Sequence, residues 1–250
     1  MVINVYNFFV AIENKMNNRY FLGGKDYNHI KNVLRMAVGD TFLVSCEGKS
    51  DLCEIEGFDI DRVIARIIEP DFQNTNLPVN IHIFQGLPKS DKLEFIIQKS
   101  VELGVASVTP VSMKRSIMKI DEKKKKAKCE RWQSIAEAAA KQSKRTSIPK
   151  VNEVISFKEM LKIAQGLDLF LVPYECAEGM SATKQALSEI KPDMDIGILI
   201  GPEGGFDQAE IEFAVSNGGK VISLGSRILR CETAAVTAAA MCMLYCEMEL

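Results

Sequence analysis

The sequence predicts an α/β protein of two domains, a small N-terminal β-barrel followed by a larger domain built on a parallel sheet. Three observations support this fold class. The N-terminal part alternates short β-rich segments with turns, a polar segment ending at Pro78 follows, and strand-like and helix-like segments then alternate to the C-terminus. The predicted boundaries are 1–72 for the barrel, 73–78 for the linker and 79–250 for the α/β domain.

Short apolar and β-branched segments define the barrel. Turns at Gly39-Asp40 and Gly48 separate some of them, and a helix of about Asp26–Met36 interrupts the series. The predicted strands are Val5–Ile12, Thr41–Cys46, Leu52–Phe58 and Arg62–Ile68.

The α/β domain shows two hydrophobic periodicities in turn. A helix of Ser90–Leu103 has one apolar face, and Trp132 begins a second apolar helical stripe in which we expect it to be a core residue. A third helix begins after Asp207, which can form a capping box with Glu210. The predicted strands are Val79–Gln85, Ser107–Pro110, Leu169–Pro173, Ile196–Ile200 and Lys220–Leu224.

Composition is that of a cytoplasmic protein without a metal centre. Hydrophobic residues make up 47% of the 250, which is enough for a sizeable core, and no membrane span or signal peptide is recognisable. The seven cysteines form no paired framework, so we expect reduced thiols. With two histidines and no CxxC pair, we expect no zinc site.

The distribution of charge is more informative than its sum. The net charge is −2, yet residues 113–150 contain thirteen Lys and Arg against four acids, a local charge of +9. Such a segment is typical of a phosphate-binding face. Its centre at Glu122–Lys128, taken alone, favours a solvated loop or helix start, and the residues around it favour phosphate binding.

A glycine-rich loop, Gly201–Gly205, follows the buried strand Ile196–Ile200. Its glycines allow positive φ and let a ligand approach the backbone, while Pro202 stiffens the turn. The spacing fits neither the dinucleotide loop nor the P-loop, and Glu203 would repel a pyrophosphate, so an uncharged or cationic ligand is favoured. Taken alone, the loop favours an ordinary strand-to-helix turn, since isolated glycine-rich turns are common.

A second unusual loop follows the next strand. After Gly225, two cations, Arg227 and Arg230, flank the apolar pair Ile228-Leu229, and a helix begins at about Glu232. Ligands of open α/β sheets bind at the carboxyl ends of the strands, so the two loops predict a small-molecule site. In the alternative, the arginines are solvated and Glu232 only complements the helix dipole.

The two loops together resemble the signature of the RsmE family, ribosomal RNA uridine N3-methyltransferases of the SPOUT class. Ser226 stands where the family pattern has proline, and Cys231 where it has a small residue such as threonine. The segments that carry the resemblance are Gly201–Phe206 and Leu224–Ala235, with weaker matches at His29–Arg35, Val38–Asp40, Gln85–Lys92, Ile97–Val105, Glu130–Gln133 and Ala138–Ser143.

The resemblance implies a PUA-like, RNA-binding barrel and a SPOUT α/β domain with a trefoil knot, which nothing in the periodicity shows. It implies S-adenosylmethionine as cofactor, bound by backbone hydrogen bonds and apolar contacts. The implied cofactor-binding residues are Leu171, Val172, Pro173, Gly201, Pro202, Glu203, Gly204, Leu224, Gly225, Ile228 and Leu229.

The implied reaction is methylation of uridine N3 in 16S ribosomal RNA. We expect Arg230 to stabilise the negative charge that develops on the uracil and Glu232 to orient it. No general base stands out, and Glu203 could act through a water or only brace the backbone. The expected RNA contacts are Arg35, Lys89, Lys92, Arg115 and Arg145.

The expected partners are 16S ribosomal RNA, free or in the small subunit, and a second copy of the chain. The alanine-rich and largely apolar helix Thr233–Met248 needs cover, which a homodimer or the chain's own core could provide. Two other functions stay open: a SPOUT methyltransferase acting on transfer RNA, and a non-catalytic RNA-binding assembly protein. Two preserved ligand loops favour catalysis.

Overall fold

The computed structural model describes residues 6–118, 122–177 and 179–250, without the side chains of Ser90 and Glu122. The chain divides into two compact units. The N-terminal unit is Met1–Asn76 with Ala140–Ile148, and the C-terminal unit is Leu77–Ala139 with Pro149–Leu250. A short segment from the second half of the sequence therefore packs with the first unit, which no local pattern indicates.

A six-stranded sheet forms the N-terminal unit. Its strands are β1 (Asn7–Phe9), β2 (Lys15–Met16), β3 (Arg19–Gly23), β4 (Thr41–Cys46), β5 (Lys49–Phe58) and β6 (Arg62–Glu69). Their order is β1-β4-β5-β6-β3-β2, and all neighbours are antiparallel except β1 and β4. The small β-domain is confirmed, although the sequence analysis missed β2 and β3, and Val5 lies outside the described residues.

The helix predicted at about Asp26–Met36 is shorter in the structure. An α-helix, α1 (Gly24–Asn28), continues as a π-helical turn over His29–Val33. Arg35 then adopts a φ of 54°, which a right-handed helix does not permit. The predicted C-terminal end was therefore wrong because this left-handed residue ends the element.

A buried carboxylate, Asp51, forms hydrogen bonds and an ion pair with three other parts of the N-terminal unit. Asp51 in β5 is 4% exposed and accepts hydrogen bonds from the Tyr20 hydroxyl at 2.8 Å and the Asp71 amide at 2.9 Å. The Lys15 ammonium lies 3.3 Å from the same side chain. Burial alone would raise the pKa of Asp51, but these donors outweigh it and hold the pKa below its usual value.

We expect Tyr20→Phe to lower the free energy of unfolding by about 1–3 kcal/mol at pH 7, because it leaves a buried carboxylate one donor short. Because the pKa of Asp51 is lower in the folded state, its ionised carboxylate stabilises the fold above the unfolded-state pKa of about 4. This stabilisation is lost as the pH falls through the folded-state pKa. The deficit should therefore shrink below about pH 4. Denaturant unfolding at several pH values measures it, with Tyr27→Phe as control because that hydroxyl accepts a hydrogen bond from the surface Lys31. Equal losses in both variants at pH 7 would contradict the role of Asp51.

Seven strands form the sheet of the C-terminal unit, and every described pair is parallel. The order is β10-β8-β7-β12-β11-β13, with β9 paired to β8. The strands are β7 (Asn80–Gly86), β8 (Ser107–Ser112), β9 (Lys150–Val151), β10 (Ile155–Ser156), β11 (Leu169–Pro173), β12 (Asp195–Ile200) and β13 (Lys220–Ile222). The parallel α/β class is confirmed, and the carboxyl ends of β11, β12 and β13 lie at one edge. The trefoil knot stays a prediction from the resemblance.

Helices lie between these strands, and a last helix follows β13. They are α2 (Ser90–Glu102), α3 (Glu122–Gln142), α4 (Phe157–Ala164), α5 (Ser181–Ser188), α6 (Gln208–Ser216) and α7 (Cys231–Glu249). The predicted core position of Trp132 is confirmed, since it is 2% exposed. The capping box of α6 is also confirmed: Asp207 accepts from the amide of Ala209, and Glu210 accepts from the amide of Asp207. The sequence analysis missed β9, β10, α4 and α5.

Candidate cofactor site

A cavity of about 840 Å³ lies in the C-terminal unit at the carboxyl ends of β11, β12 and β13. Its walls come from the loop after each of these strands, from the start of α7 and from one residue of α2. The lining residues used below are Lys92, Pro173, Gly201, Pro202, Glu203, Leu224, Gly225, Arg227, Ile228, Leu229 and Arg230.

The glycine-rich loop, Gly201–Gly205, is held from below by the end of β7. The amide of Gln85, a fully buried side chain, donates to the carbonyls of Gly86 at 2.8 Å and Gly201 at 3.2 Å. A Cβ on Gly86 would lie 2.7 Å from the ring and from the nitrogen of Pro202. The two backbones are therefore packed as closely as they can be. Within the loop, Gly205 alone has a positive φ, 68°.

The segment after β8 forms hydrogen bonds with the glycine-rich loop and with the start of α6. Arg115 donates to the carbonyl of Gly204 at 3.2 Å, and the amide of Lys114 donates to Glu210 at 2.8 Å. The Lys114 ammonium lies 2.9 Å from Asp207, and this bond holds the pKa of Asp207 below its usual value. The basic segment thus supports the glycine-rich loop directly.

The second loop, Ser223–Arg230, combines an ordered start with an exposed tip. Ser223 exchanges hydrogen bonds with Thr183 of α5 at 2.9 and 3.0 Å, and Gly225 has a φ of 107°, which L side chains rarely adopt. Ile228, at the wall of the cavity, is 84% exposed. An apolar side chain this exposed is available to cover the flat face of a bound ring.

Three charged side chains meet where the glycine-rich loop, α2 and α7 come together. They are Lys92, Glu203 and Glu232, and we call them the Lys92 cluster. The Lys92 ammonium lies 3.5 Å from Glu203 and 3.2 Å from Glu232. Burial opposes ionisation of Glu232, but hydrogen bonds from its own amide, from the Cys231 thiol and from Lys92 hold its pKa below the usual value. The pKa of Lys92 is raised, first by its hydrogen bond to Glu232.

Eight of the eleven residues expected to bind the cofactor line the cavity. Leu171 and Val172 are instead buried inside β11, because the side chains of a central strand pack above and below the sheet. Gly204 lies outside the cavity, and the space where its Cβ would be faces Arg115 at 3.2 Å. The eight are Pro173, Gly201, Pro202, Glu203, Leu224, Gly225, Ile228 and Leu229.

The expected catalytic pair is separated by the structure. Arg230 lines the cavity and is exposed at the N-terminus of α7, whereas Glu232 does not line it. Among the described residues, Glu232 pairs with Lys92 and not with Arg230. An orienting bond between the two is therefore absent from this structure.

The expected RNA contacts differ in exposure. Arg35, Lys89 and Arg115 are exposed, whereas the side chain of Lys92 is 26% exposed. Arg145 is 5% exposed, and its carbonyl accepts hydrogen bonds from Asn7 and Ser45. Its position fits a structural role within the N-terminal unit.

The loop after β11 contributes lining residues that the sequence analysis missed. Tyr174, Glu175 and Met180 line the cavity, as does Phe206, whose ring lies edge-on to Tyr174 at 6.1 Å. The loop after β11 has no glycine pattern comparable with the other two. What marks this loop is that it follows β11, which lies between β12 and β13 in the sheet. That position is known only once the strand order is known.

No group of three or more His, Cys, Asp or Glu side chains in the described ranges is placed to hold a metal ion. None of the helices described is long and apolar enough to cross a membrane.

Comparison with known proteins gives two matching family models. An RNA methyltransferase domain matches residues 75–243, and an RNA methyltransferase PUA domain matches residues 22–68. The first covers more than half of the chain, including the three loops that line the cavity.

Curated and solved relatives agree with these models. The chain is 41% identical over 219 residues to the ribosomal RNA small subunit methyltransferase E of Bacillus subtilis (strain 168), covering 86% of each chain. It is 33% identical to that of Mesomycoplasma hyopneumoniae (strain 232), covering 93% of this chain and 96% of the relative. A crystal structure of the Neisseria gonorrhoeae enzyme of the same name, bound to S-adenosyl methionine, has a TM-score of 0.79 at 27% identity, covering 95% of this chain and 96% of that one.

These matches span both units and include the residues that carried the resemblance. They confirm the predicted family and its PUA-like and methyltransferase domains. The chain belongs to the RsmE family of ribosomal RNA small subunit methyltransferases.

Proposed function

We propose that this protein transfers a methyl group from S-adenosylmethionine to N3 of a uridine in 16S ribosomal RNA. The observation that carries the proposal is the cavity at the carboxyl ends of β11, β12 and β13, whose lining includes the two loops that match the family. The names of the relatives support the RNA substrate, and the bound S-adenosyl methionine of the Neisseria structure supports the cofactor. The family resemblance supplies N3 as the target atom. On this proposal the protein works in the cytoplasm, where the small subunit is assembled.

The residues at the cavity fit the proposed cofactor. Its volume of about 840 Å³ lies within the range of small-molecule sites. Ile228 and Leu229 provide apolar area for an adenine face, and the loop backbones at Gly201 and Gly225 provide amides and carbonyls. The Oε2 atom of Glu203 is buried and has no hydrogen-bond partner among the described residues, so a ligand donor would satisfy it.

The chain's own groups would place the uracil and stabilise its charge. When bound, S-adenosylmethionine supplies an electrophilic methyl group. Loss of the N3 proton leaves negative charge on the uracil ring and its carbonyl oxygens. Arg230 is a cation at the cavity wall suited to stabilise that charge, and the N-terminus of α7 adds positive potential beside it. Holding the two reactants in line accounts for much of the rate.

Methyl incorporation tests the proposal directly. Purified protein is incubated with labelled S-adenosylmethionine and small-subunit RNA from cells lacking the modification, both as free 16S RNA and as assembled particles. We expect label in at least one of these, absence of label with fully methylated RNA, and N3-methyluridine after nucleoside digestion. Label in transfer RNA alone, or in no RNA, would contradict the proposal.

Phosphate contacts should be separable from cofactor binding. We propose Arg35, Lys89 and Arg115 as RNA contacts, because all three are exposed cations. Lys89→Ala should weaken RNA binding and reduce the slope of log affinity against log salt by about 0.7–0.9, the value for one phosphate contact. The affinity of Lys89→Ala for S-adenosylmethionine should stay at the wild-type value. Filter binding at several salt concentrations measures this, with Lys191→Ala as an exposed, charge-matched control. An unchanged slope would remove Lys89 from the interface.

We also propose that the protein is a homodimer through the C-terminal unit. Helices α2 and α7 both leave large apolar side chains exposed, with Phe95 at 46%, Leu244 at 48% and Met248 at 70%. Light scattering at micromolar concentration should give twice the chain mass, and Leu244→Lys should give a monomer. Ile60→Lys is the control, since Ile60 is 93% exposed in the N-terminal unit. A fully active monomeric wild type would overturn the proposal.

A further inference from the structure

The Lys92 cluster joins three separate elements at the edge of the cavity. Lys92 belongs to α2, Glu203 to the glycine-rich loop and Glu232 to the first turn of α7. Since one ammonium lies 3.5 Å from the first carboxylate and 3.2 Å from the second, Lys92 links the loop after β12 to the helix after the second loop.

Glu203 is held by the protein at one oxygen only. Its Oε1 accepts the amide hydrogen of Lys89 at 3.1 Å and is the atom that faces Lys92. Its Oε2 has almost no contact with solvent and accepts no hydrogen bond from any described residue. A buried carboxylate oxygen without a donor is costly, and Glu203 lines the cavity. A hydroxyl or ammonium group of a bound ligand would supply the missing donor.

The charge of the cluster distinguishes between ligands. One cation and two carboxylates leave a formal excess of one negative charge, which attracts a cationic ligand and repels a phosphate. The ammonium of Lys92 is also shared between both carboxylates. These features argue against Lys92 as an RNA phosphate contact, the role that the sequence analysis expected.

We propose that Lys92 is a positioning residue of the methyl-transfer site, which holds the carboxylate of Glu203 as a hydrogen-bond acceptor for the bound cofactor and ties the glycine-rich loop to α7. The inference rests on the proposed function, since it assigns a role toward that cofactor. Lys92 acts through Glu203 and Glu232 and does not itself react.

The first test compares cofactor and RNA affinities in matched variants. Lys92→Met should weaken S-adenosylmethionine binding about tenfold, a loss equivalent to one well-placed polar interaction. Lys92→Arg, which keeps the charge, should recover most of it. Glu203→Gln should weaken binding to a similar extent, and Lys92→Met combined with Glu203→Gln should be little worse than either alone because both act through one contact. RNA affinity and its salt dependence should stay at the wild-type values throughout.

Lys99→Met is the control for the loss of a lysine from α2. Lys99 pairs within the helix with Glu102 at 2.8 Å, away from the cavity lining. It should leave calorimetric S-adenosylmethionine affinity unchanged.

A pH profile supplies a readout that loss of fold would not move. The titratable and charged groups around Glu232 are Lys92 of α2, Glu203 of the glycine-rich loop, and Cys231 and Arg230 beside it in sequence. Burial raises the pKa of Cys231 to about 12, so the thiol stays neutral. Burial raises the pKa of Glu232, and the hydrogen bond from Lys92 is one of those that lower it. Without Lys92, the pKa of Glu232 should therefore rise. The Glu232 carboxyl should therefore titrate at a higher pH in Lys92→Met than in the wild type, which an NMR titration of the two folded proteins measures.

Three results would overturn the inference while leaving the proposed function intact. One is wild-type cofactor affinity in Lys92→Met, and another is a loss of RNA affinity with a shallower salt slope in the same variant. The third is an equal cofactor loss in Lys92→Arg and Lys92→Met. Should Lys92→Met fail to fold, Lys92→Arg and Glu203→Gln carry the same comparison. Failure of the wild type to bind S-adenosylmethionine would instead reject the proposed function.

Discussion

Arg230→Ala should lower single-turnover methyl transfer about 100-fold, the typical effect of removing one group that stabilises developing negative charge. Arg230 lines the cavity, is exposed and precedes the first turn of α7. Its guanidinium can therefore reach a bound uracil without breaking an ion pair within the described part of the chain. The affinity for RNA should change little, because phosphate contacts elsewhere provide most of it. Rapid-quench measurement with saturating RNA and cofactor separates the chemical step from binding.

Arg227→Ala is the matched control for this prediction. Arg227 lies in the same loop, lines the same cavity and carries the same charge. If both variants lose the same rate, the effect is one of general positive potential and not of a specific contact. Equal losses of rate and RNA affinity in Arg230→Ala would make Arg230 a binding residue only.

Gly86→Ala should displace the glycine-rich loop and weaken S-adenosylmethionine binding at least tenfold. The new Cβ would lie 2.7 Å from the nitrogen and ring of Pro202 and 2.8 Å from the sulfur of Met113. Met113 can move, but the backbone at Pro202 cannot without shifting the loop. Overpacking of this kind costs about 1–3 kcal/mol, so the melting temperature should also fall. Calorimetry and thermal melts measure the two effects.

Gly166→Ala controls for the general effect of a methyl group at a glycine. A Cβ there would meet its nearest neighbour, the carbonyl of Ile163, at an ordinary 3.5 Å, and the position lies outside the cavity lining. Unchanged cofactor affinity in Gly86→Ala would mean that the loop can shift without losing its ligand contacts.

Features that depend on neighbours along the chain were recognisable from the sequence. The capping box of Asp207 and Glu210 spans three residues, and the apolar face of α2 repeats with the period of one helix. The buried strands β11 and β12 are predominantly apolar segments. The glycine-rich loop and the Arg227–Arg230 segment marked the cofactor site for the same reason, because each is a contiguous motif.

Backbone exceptions limited the prediction of boundaries. The helix after β3 ends early because Arg35 adopts a left-handed conformation. An arginine in the sequence does not indicate such a conformation. The two-residue strands β2, β9 and β10 are too short for a periodicity to appear.

The sequence by itself determined the fold class, the family and the eight expected cofactor-binding residues that line the cavity, because these reside in local patterns. Tertiary structure alone decided which side chains share an environment. It buried Arg145, placed Leu171 and Val172 inside the sheet, and paired Glu232 with Lys92 instead of Arg230. The physical reason is that ion pairs and burial depend on distances in space between residues far apart in sequence: the amide of Lys89 and the carboxylate it binds in Glu203 are separated by 114 positions.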